Sequence, residues 1–206
     1  MSDSLARTDP FERIPIPDGE VFYLRGLELG RRPDEVLQQL IADVPWRQES
    51  ILVWGKMYAQ PRLIAWYGDR DSYYTYSGLR LTPLPWTDLL LEIKRRIETV
   101  TAASFNSVLL NCYRDNRDSM GLHSDDEPEL GERPVIASLS LGEERTFVLK
   151  HKVSSLAEPI RLRLASGSLL LMKGETQRFW KHGIAKETRR CGPRVNLTFR
   201  RIAGQG

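Results

Sequence analysis

At 206 residues the chain has room for one hydrophobic core, so a second full domain is not expected. Hydrophobic residues make up 41% and charged residues 28%, as in ordinary soluble globular proteins, and no apolar run reaches bilayer-spanning length. A net charge of +3 permits a polyanionic partner without requiring one, and Cys112 and Cys191 lie outside any metal-type spacing, which sets zinc fingers aside and suits free thiols in a reducing compartment.

Residues 1–20, with Pro10, Pro15, Pro17 and Gly19, read as an irregular lead-in without chemistry. The N-terminus has no basic start followed by an apolar stretch, so the chain is expected to stay inside the cell, in the cytoplasm of a bacterium or the nucleus of a eukaryote. From Pro33 to Val44, proline and two acids open a segment with Val36, Leu37, Leu40, Ile41 and Val44 at helical spacing, ended by Pro45. Between Ser50 and Ser77 the texture turns to short strands and hairpins, rich in aromatics with Lys56, Arg62 and Arg70 among them. Two readings of that region stand: a hairpin whose rings pack, or a surface where bases stack and cations meet phosphates. A second helix spans Trp86 to Val100, opened by Thr87 or Asp88, with Leu89, Leu90, Ile93, Ile97 and Val100 along one side. Its Lys94-Arg95-Arg96 run reads as a solvated face.

From Ser104 onward nearly every segment reads as a strand, with Gly142-Glu143-Glu144 and Ala165-Ser166-Gly167 as hairpin turns. Early helices and late strands make the chain α+β, and seven or so short strands indicate a β-sandwich or jelly roll. Within this part lies Gly121-Leu122-His123-Ser124-Asp125-Asp126-Glu127. In extended backbone His123 and Asp125 point the same way and can share a metal ion, although a polar loop after a strand looks the same. His182, far downstream at the end of another strand-like run, would complete two histidines and one carboxylate, the facial triad of non-haem Fe(II) oxygenases. His151, in Lys150-His151-Lys152, reads as part of an exposed basic patch.

The last strand, Arg194-Val195-Asn196-Leu197-Thr198-Phe199-Arg200, places Arg194, Asn196, Thr198 and Arg200 on one side. A solvent-facing strand has this pattern, and so does a wall that grips a small diacid with guanidinium forks, an amide and a hydroxyl. Asn111 and Tyr113 are positioned to complete such a pocket.

At these residues the sequence resembles the AlkB family of Fe(II)- and 2-oxoglutarate-dependent dioxygenases, over about Leu52 to Ile202. It looks closest to the branch that repairs alkylated bases in duplex DNA, through Val53-x-Gly55-Lys56, Pro61-Arg62, Tyr67-Gly68-Asp69, Tyr74-Thr75-x-Ser77-Gly78 and Pro85-Trp86. The resemblance implies a double-stranded β-helix (jelly-roll) core at 104–203. To that core it adds a supporting helix at 83–103, a β-hairpin nucleotide-recognition lid at 49–82 and an N-terminal extension and helix at 1–48, all in one domain. It implies that His123, Asp125 and His182 hold Fe(II), and that Asn111, Tyr113, Arg194, Asn196, Thr198 and Arg200 hold 2-oxoglutarate. The reaction would use O2 to demethylate bases such as 1-methyladenine and 3-methylcytosine, releasing formaldehyde, succinate and CO2. Such a base is cationic when methylated and favours aromatic faces and carboxylates. Tyr76 and the His123 ring would sandwich it, with Asp126 and Glu127 reading its exocyclic amine. Trp54 would enter the base stack as a wedge, while Gly55, Lys56, Arg62, Tyr74, Thr75 and Ser77 line the DNA. Trp54 and Tyr76 stand where that branch carries phenylalanine, and the segment from Lys150 to Arg163 is shorter and less basic than its counterpart. RNA or single strands as the main substrate, and a non-catalytic nucleic-acid-binding module, are the competing readings. A monomer is expected.

Overall fold

The computed structural model describes residues 10–53, 56–70, 72, 74–76, 79–153 and 155–203, with side chains left undescribed at 51–53, 74–76 and 79–81. The chain opens with two strands, β1 (Glu12–Ile14) and β2 (Glu20–Leu24), where an irregular lead-in was expected through residue 20. Their prolines, Pro15 and Pro17, fall in the connection between them, where no ladder hydrogen bond is lost. Helix α1 (Pro33–Asp43) has proline in its first turn with Asp34 and Glu35, and stops at Val44, whose extended backbone is the one favoured before Pro45. Strands β3 (Ser50–Val53) and β4 (Lys56–Ala59) pair with each other, β5 (Leu63–Gly68) joins the body, and β6 (Tyr74–Tyr76) pairs with β7 (Leu79–Leu81). Helix α2 (Asp88–Thr101) is capped by Thr87, whose hydroxyl accepts from the Leu90 N–H, and ends at Ala102 in the left-handed region. Its basic run is tied down by Lys94–Glu98 and Arg96–Glu92 pairs one turn apart, which fits the solvated-face reading.

The strands that follow are β8 (Ser107–Tyr113), β9 (Met120–His123), β10 (Ile136–Gly142), β11 (Arg145–His151), β12 (Ile160–Leu164) and β13 (Leu169–Lys173). A single helical turn, α3 (Thr176–Phe179), then leads into β14 (Trp180–Ile184), and β15 (Arg194–Arg200) closes the chain. Two antiparallel sheets result, one of seven strands in the order β1-β2-β13-β10-β15-β8-β5 and one of four in the order β12-β11-β14-β9.

The glycine turns do not make hairpins, contrary to the sequence reading. β10 already has β13 and β15 as neighbours, so the turn at Gly142 hands the chain to the other sheet. Gly142 has φ +90°, and a Cβ there would run into the Pro193 carbonyl. Gly167, φ +82°, carries the chain back from β12 to β13 in the same manner.

The two larger hydrophobic clusters follow from this layering. The helices cover the outer face of the large sheet, where Val36, Leu40, Leu90, Ile93 and Ile97 join Leu139, Val195, Leu197 and Phe199. Between the sheets, Ile136, Phe147, Leu149, Leu170, Met172, Trp180 and Ile184 form a second cluster. β15 is therefore buried on both faces, its apolar residues toward the helices and its polar ones toward the small sheet.

Candidate functional site

The polar face of β15 needs partners, and the small sheet supplies them. In the β9–β14 ladder His123 and His182 are register partners, which brings residues 59 positions apart to a ring separation of 4.4 Å. Glycine at 183 permits this approach, because a Cβ there would lie 2.7 Å from the Met120 oxygen and 2.9 Å from that of Gly121. Asp125 is fully buried beside the pair, 3.7 Å from His123 Nε2 and 3.9 Å from His182 Nε2. One ligand atom from each residue lies within 4.8 Å of the others, a spacing that one cation can bridge.

Electrostatics prepare all three side chains. Burial alone would push the Asp125 carboxyl up. The Arg200 guanidinium, 2.9 Å from both oxygens, outweighs it together with His182 and His123 and holds the carboxyl at about 2. His182 is pulled down to about 3, first by burial and then by His123, so it is neutral and its ring nitrogen lone pair is available. His123 Nδ1 faces the Gly121 carbonyl at 2.9 Å, and donating there leaves Nε2 free to ligate. An ionised carboxylate and two imidazole nitrogens suit a divalent metal of the iron type.

Next to this cluster the remaining predicted groups line one cavity: Asn111, Tyr113, Arg194, Asn196, Thr198 and Arg200. Asn196 donates to Ser138 Oγ (2.7 Å) and the Leu139 carbonyl (3.0 Å), and Thr198 donates to Asn196 Oδ1 (2.9 Å). Arg194 is 1% exposed and donates from Nη2 to Ser140 Oγ, while among the described residues its Nε and Nη1 meet no hydrogen-bond partner within bonding geometry. Burial lowers it to about 10, still charged at neutral pH. Its neighbour Arg145 spends its donors on the Asp115, Asp118 and Ala185 carbonyls, and both guanidinium groups lie over the Tyr113 ring. A buried cation with two idle donors in a cavity fits a carboxylate.

Arg200 lines the cavity but is committed to Asp125, whose carboxylate it holds directly. Two basic residues are corrected by the structure. Arg62, expected along DNA, is buried at the start of β5, where the β5–β8 pairing sets it beside Asn111 and its Nε donates to Asn111 Oδ1 at 2.8 Å. His151 is not an exposed patch residue, since it lies buried between Phe179 and Trp180 with Nδ1 on the Val153 backbone. Lys56 is exposed on β4. Asp126 is exposed and ion-paired to Lys152 at 3.1 Å, and Glu127 is half-buried at the start of a short 3-10 turn. Tyr74, Thr75 and Tyr76 form β6, their side chains undescribed, and Trp54, Gly55 and Ser77 lie outside the described residues.

Sequence reasoning missed Ser138, Phe147, Met172 and Gln177. The alternation Ser138-Leu139-Ser140 in an otherwise apolar strand was the available signal for the first. Gln177 left none.

Comparison with known proteins gives concordant findings. The family described as the 2OG-Fe(II) oxygenase superfamily matches residues 20–200. The alpha-ketoglutarate-dependent dioxygenase alkB homolog 3 of Mus musculus is 46% identical over 180 residues, covering 84% of this chain and 62% of that protein. The DNA oxidative demethylase ALKBH2 of Homo sapiens is 42% identical over 178 residues, covering 82% and 68%. The chain thus spans about 62% of the length of the alkB homolog 3 protein it matches. Among solved structures, that of OsALKBH1 superposes with TM-score 0.59 at 18% identity, covering 91% of this chain and 100% of that one. A 2OG-Fe(II) oxygenase family oxidoreductase from Burkholderia pseudomallei superposes with TM-score 0.57 at 12% identity, covering 89% and 87%. Those two likenesses concern the fold.

Proposed function

Since this chain belongs to the 2OG-Fe(II) oxygenase superfamily, we propose that it is an Fe(II)- and 2-oxoglutarate-dependent dioxygenase that demethylates alkylated bases such as 1-methyladenine and 3-methylcytosine in DNA. The observation that carries the reading is the cross-strand pair His123 and His182 with Asp125, set beside the buried Arg194 with its idle donors. His123, Asp125 and His182 would hold the iron. Asn111, Tyr113, Arg194, Asn196, Thr198 and Arg200 would hold 2-oxoglutarate, with Arg194 taking one carboxylate. With its iron, 2-oxoglutarate and O2 bound, the centre supplies the oxidation of an N-methyl group, and formaldehyde, succinate and CO2 leave.

The protein's own part is positional and electrostatic. Arg200 keeps Asp125 ionised, the Gly121 carbonyl orients His123, and Phe147, Met172 and Ile184 give the cavity an apolar lining. The names of the relatives, which include DNA oxidative demethylases, support a nucleic-acid substrate.

We read the whole as one jelly-roll domain, with an N-terminal extension and helix at 1–48, a supporting helix at 83–103 and the catalytic core at 104–203. Its nucleotide-recognition lid spans 49–82. Hairpin β3–β4 supports a contact role, since Met57 is 65% and Tyr58 53% exposed next to Lys56. Asp126 and Glu127, which follow Asp125 in the chain, would meet a cationic base with their carboxylates. Tyr74, Thr75, Tyr76 and Ser77 would frame it, and Trp54 and Gly55 would meet duplex DNA. The enzyme would act as a monomer.

The test is formaldehyde release from methylated single-stranded DNA, duplex DNA and RNA, with and without Fe(II) and 2-oxoglutarate. Turnover that needs both and disappears in His123→Ala supports the reading, and the preferred polymer ranks the substrates. A wild-type protein that takes up iron and 2-oxoglutarate but releases no formaldehyde from any of them refutes it in favour of a binding module.

A further inference from the structure

The polypeptide between the two ligands His123 and Asp125 has to hold one shape for both to meet one cation. Two hydrogen bonds fix it, and both come from a single neighbouring segment. The Ser124 hydroxyl donates to the Trp180 carbonyl (2.9 Å), and the Asp125 N–H donates to Gln177 Oε1 (3.0 Å). That segment runs from α3 into β14 and supplies the third ligand, His182, two residues later.

Gln177 is an unusual choice for its place. It is 2% exposed, and among the described residues its Nε2 meets the Met172 sulfur at 3.7 Å, a weak acceptor. Burying an amide there is unfavourable unless the one strong bond it makes matters. Its own carbonyl accepts from Lys152, which pairs with Asp126 on the substrate side.

We propose that Gln177 is a positioning residue for the metal centre: by accepting the Asp125 N–H it sets the approach of the carboxylate to the metal without touching it. This rests on the assignment of His123, Asp125 and His182 as ligands. Groups that orient a ligand typically change metal affinity by about 10-fold to 100-fold when removed.

The experiment titrates Co(II), without oxygen or turnover, into the full chain and into Gln177→Met, Gln177→Asn and Gln177→Glu. Methionine keeps the volume and replaces the amide oxygen by a weakly accepting sulfur, asparagine keeps the amide but falls short of the Asp125 N–H, and glutamate keeps a strong acceptor at the same reach. Expected are a Co(II) affinity about 10-fold to 100-fold weaker for the methionine and asparagine variants, with a changed d–d absorption envelope, and a glutamate variant within about threefold of wild type. A purely structural role would lower the melting temperature of the metal-free protein and leave affinity and envelope alone. Wild-type affinity in Gln177→Met or Gln177→Asn overturns the proposal, as does a glutamate variant as weak as the methionine one. Wild-type chain that fails to bind Co(II) refutes the ligand assignment itself, a separate outcome.

Discussion

Replacing Arg194 by methionine should move two properties in opposite directions. In the protein without 2-oxoglutarate the guanidinium is buried, and its drop from 12.5 to about 10 corresponds to a penalty of about 3 kcal/mol on the charged form. Against this stand the hydrogen bond to Ser140 Oγ at 2.9 Å, worth about 1 kcal/mol, and the contact with the Tyr113 ring. Methionine removes all three and adds apolar contact, so the ligand-free variant should be as stable as wild type or more stable by up to about 2 kcal/mol. Binding of 2-oxoglutarate should collapse. The donors Nε and Nη1 would each give a carboxylate a charge-assisted bond of about 1.5–3 kcal/mol, and losing both weakens binding roughly 10²-fold to 10⁴-fold. Urea unfolding of the metal-free protein and anaerobic calorimetry of 2-oxoglutarate on the Mn(II)-loaded protein measure the two sides. A variant destabilised by more than about 2 kcal/mol, or one that keeps 2-oxoglutarate affinity within about tenfold, would show that Arg194 is a structural cation and not an anion receptor.

Gly183→Ala should drive β14 from β9, because its Cβ meets the Met120 and Gly121 backbone oxygens at 2.7 and 2.9 Å. A loss of about 1–3 kcal/mol is expected together with weakened Co(II) binding, and a variant with unchanged binding would show that the ladder yields elsewhere. In metal-free protein His182 stays neutral down to about 3 while the unfolded chain gains its proton near 6.5. Its contribution to stability is therefore fully present above pH 6.5 and lost as pH falls toward 3, so stability rises with pH in that window. His182→Leu should flatten that limb of a pH series of denaturant melts, and an unchanged slope refutes the assignment. Burial, with Asp118 nearby, pushes the Cys112 thiol up to about 11, so its thiolate at pH 8 is on the order of one in a thousand. Iodoacetamide should label Cys191 in the folded protein and reach Cys112 only on unfolding, as peptide mass mapping would report.

The sequence spelled out some of this architecture and was silent on the rest. Both main helices were legible because their starts carry local chemistry, Pro33 with two acids and Thr87 as a cap. The clustering of His123, Asp125 and His182 was legible because few histidines exist to choose from and His123-x-Asp125 has a strand's spacing. Strands β1 and β2 were missed because three to five residues among prolines give too little alternation to see. The turns at Gly142 and Gly167 were located correctly but assigned the wrong partners. A glycine at positive φ marks a reversal, and which sheet receives the next strand depends on which neighbours are already taken. Arg62 and His151 were misplaced, and Gln177 overlooked, for one reason. Burial of a polar side chain is a property of the layers around it, and no short window of residues encodes it.

The first strands have a practical corollary. β2 occupies the flank of β13, and the three-residue β1, with Glu12 and Arg13 facing solvent, finishes the sheet with a short charged border. A version trimmed to begin beyond Leu24 would lay bare the amides and carbonyls of Leu169-Leu170-Leu171-Met172, an uncharged ribbon ready to recruit another molecule. Aggregation of such truncations, with the untrimmed protein staying dispersed, would trace to that missing border rather than to any fault in the metal centre.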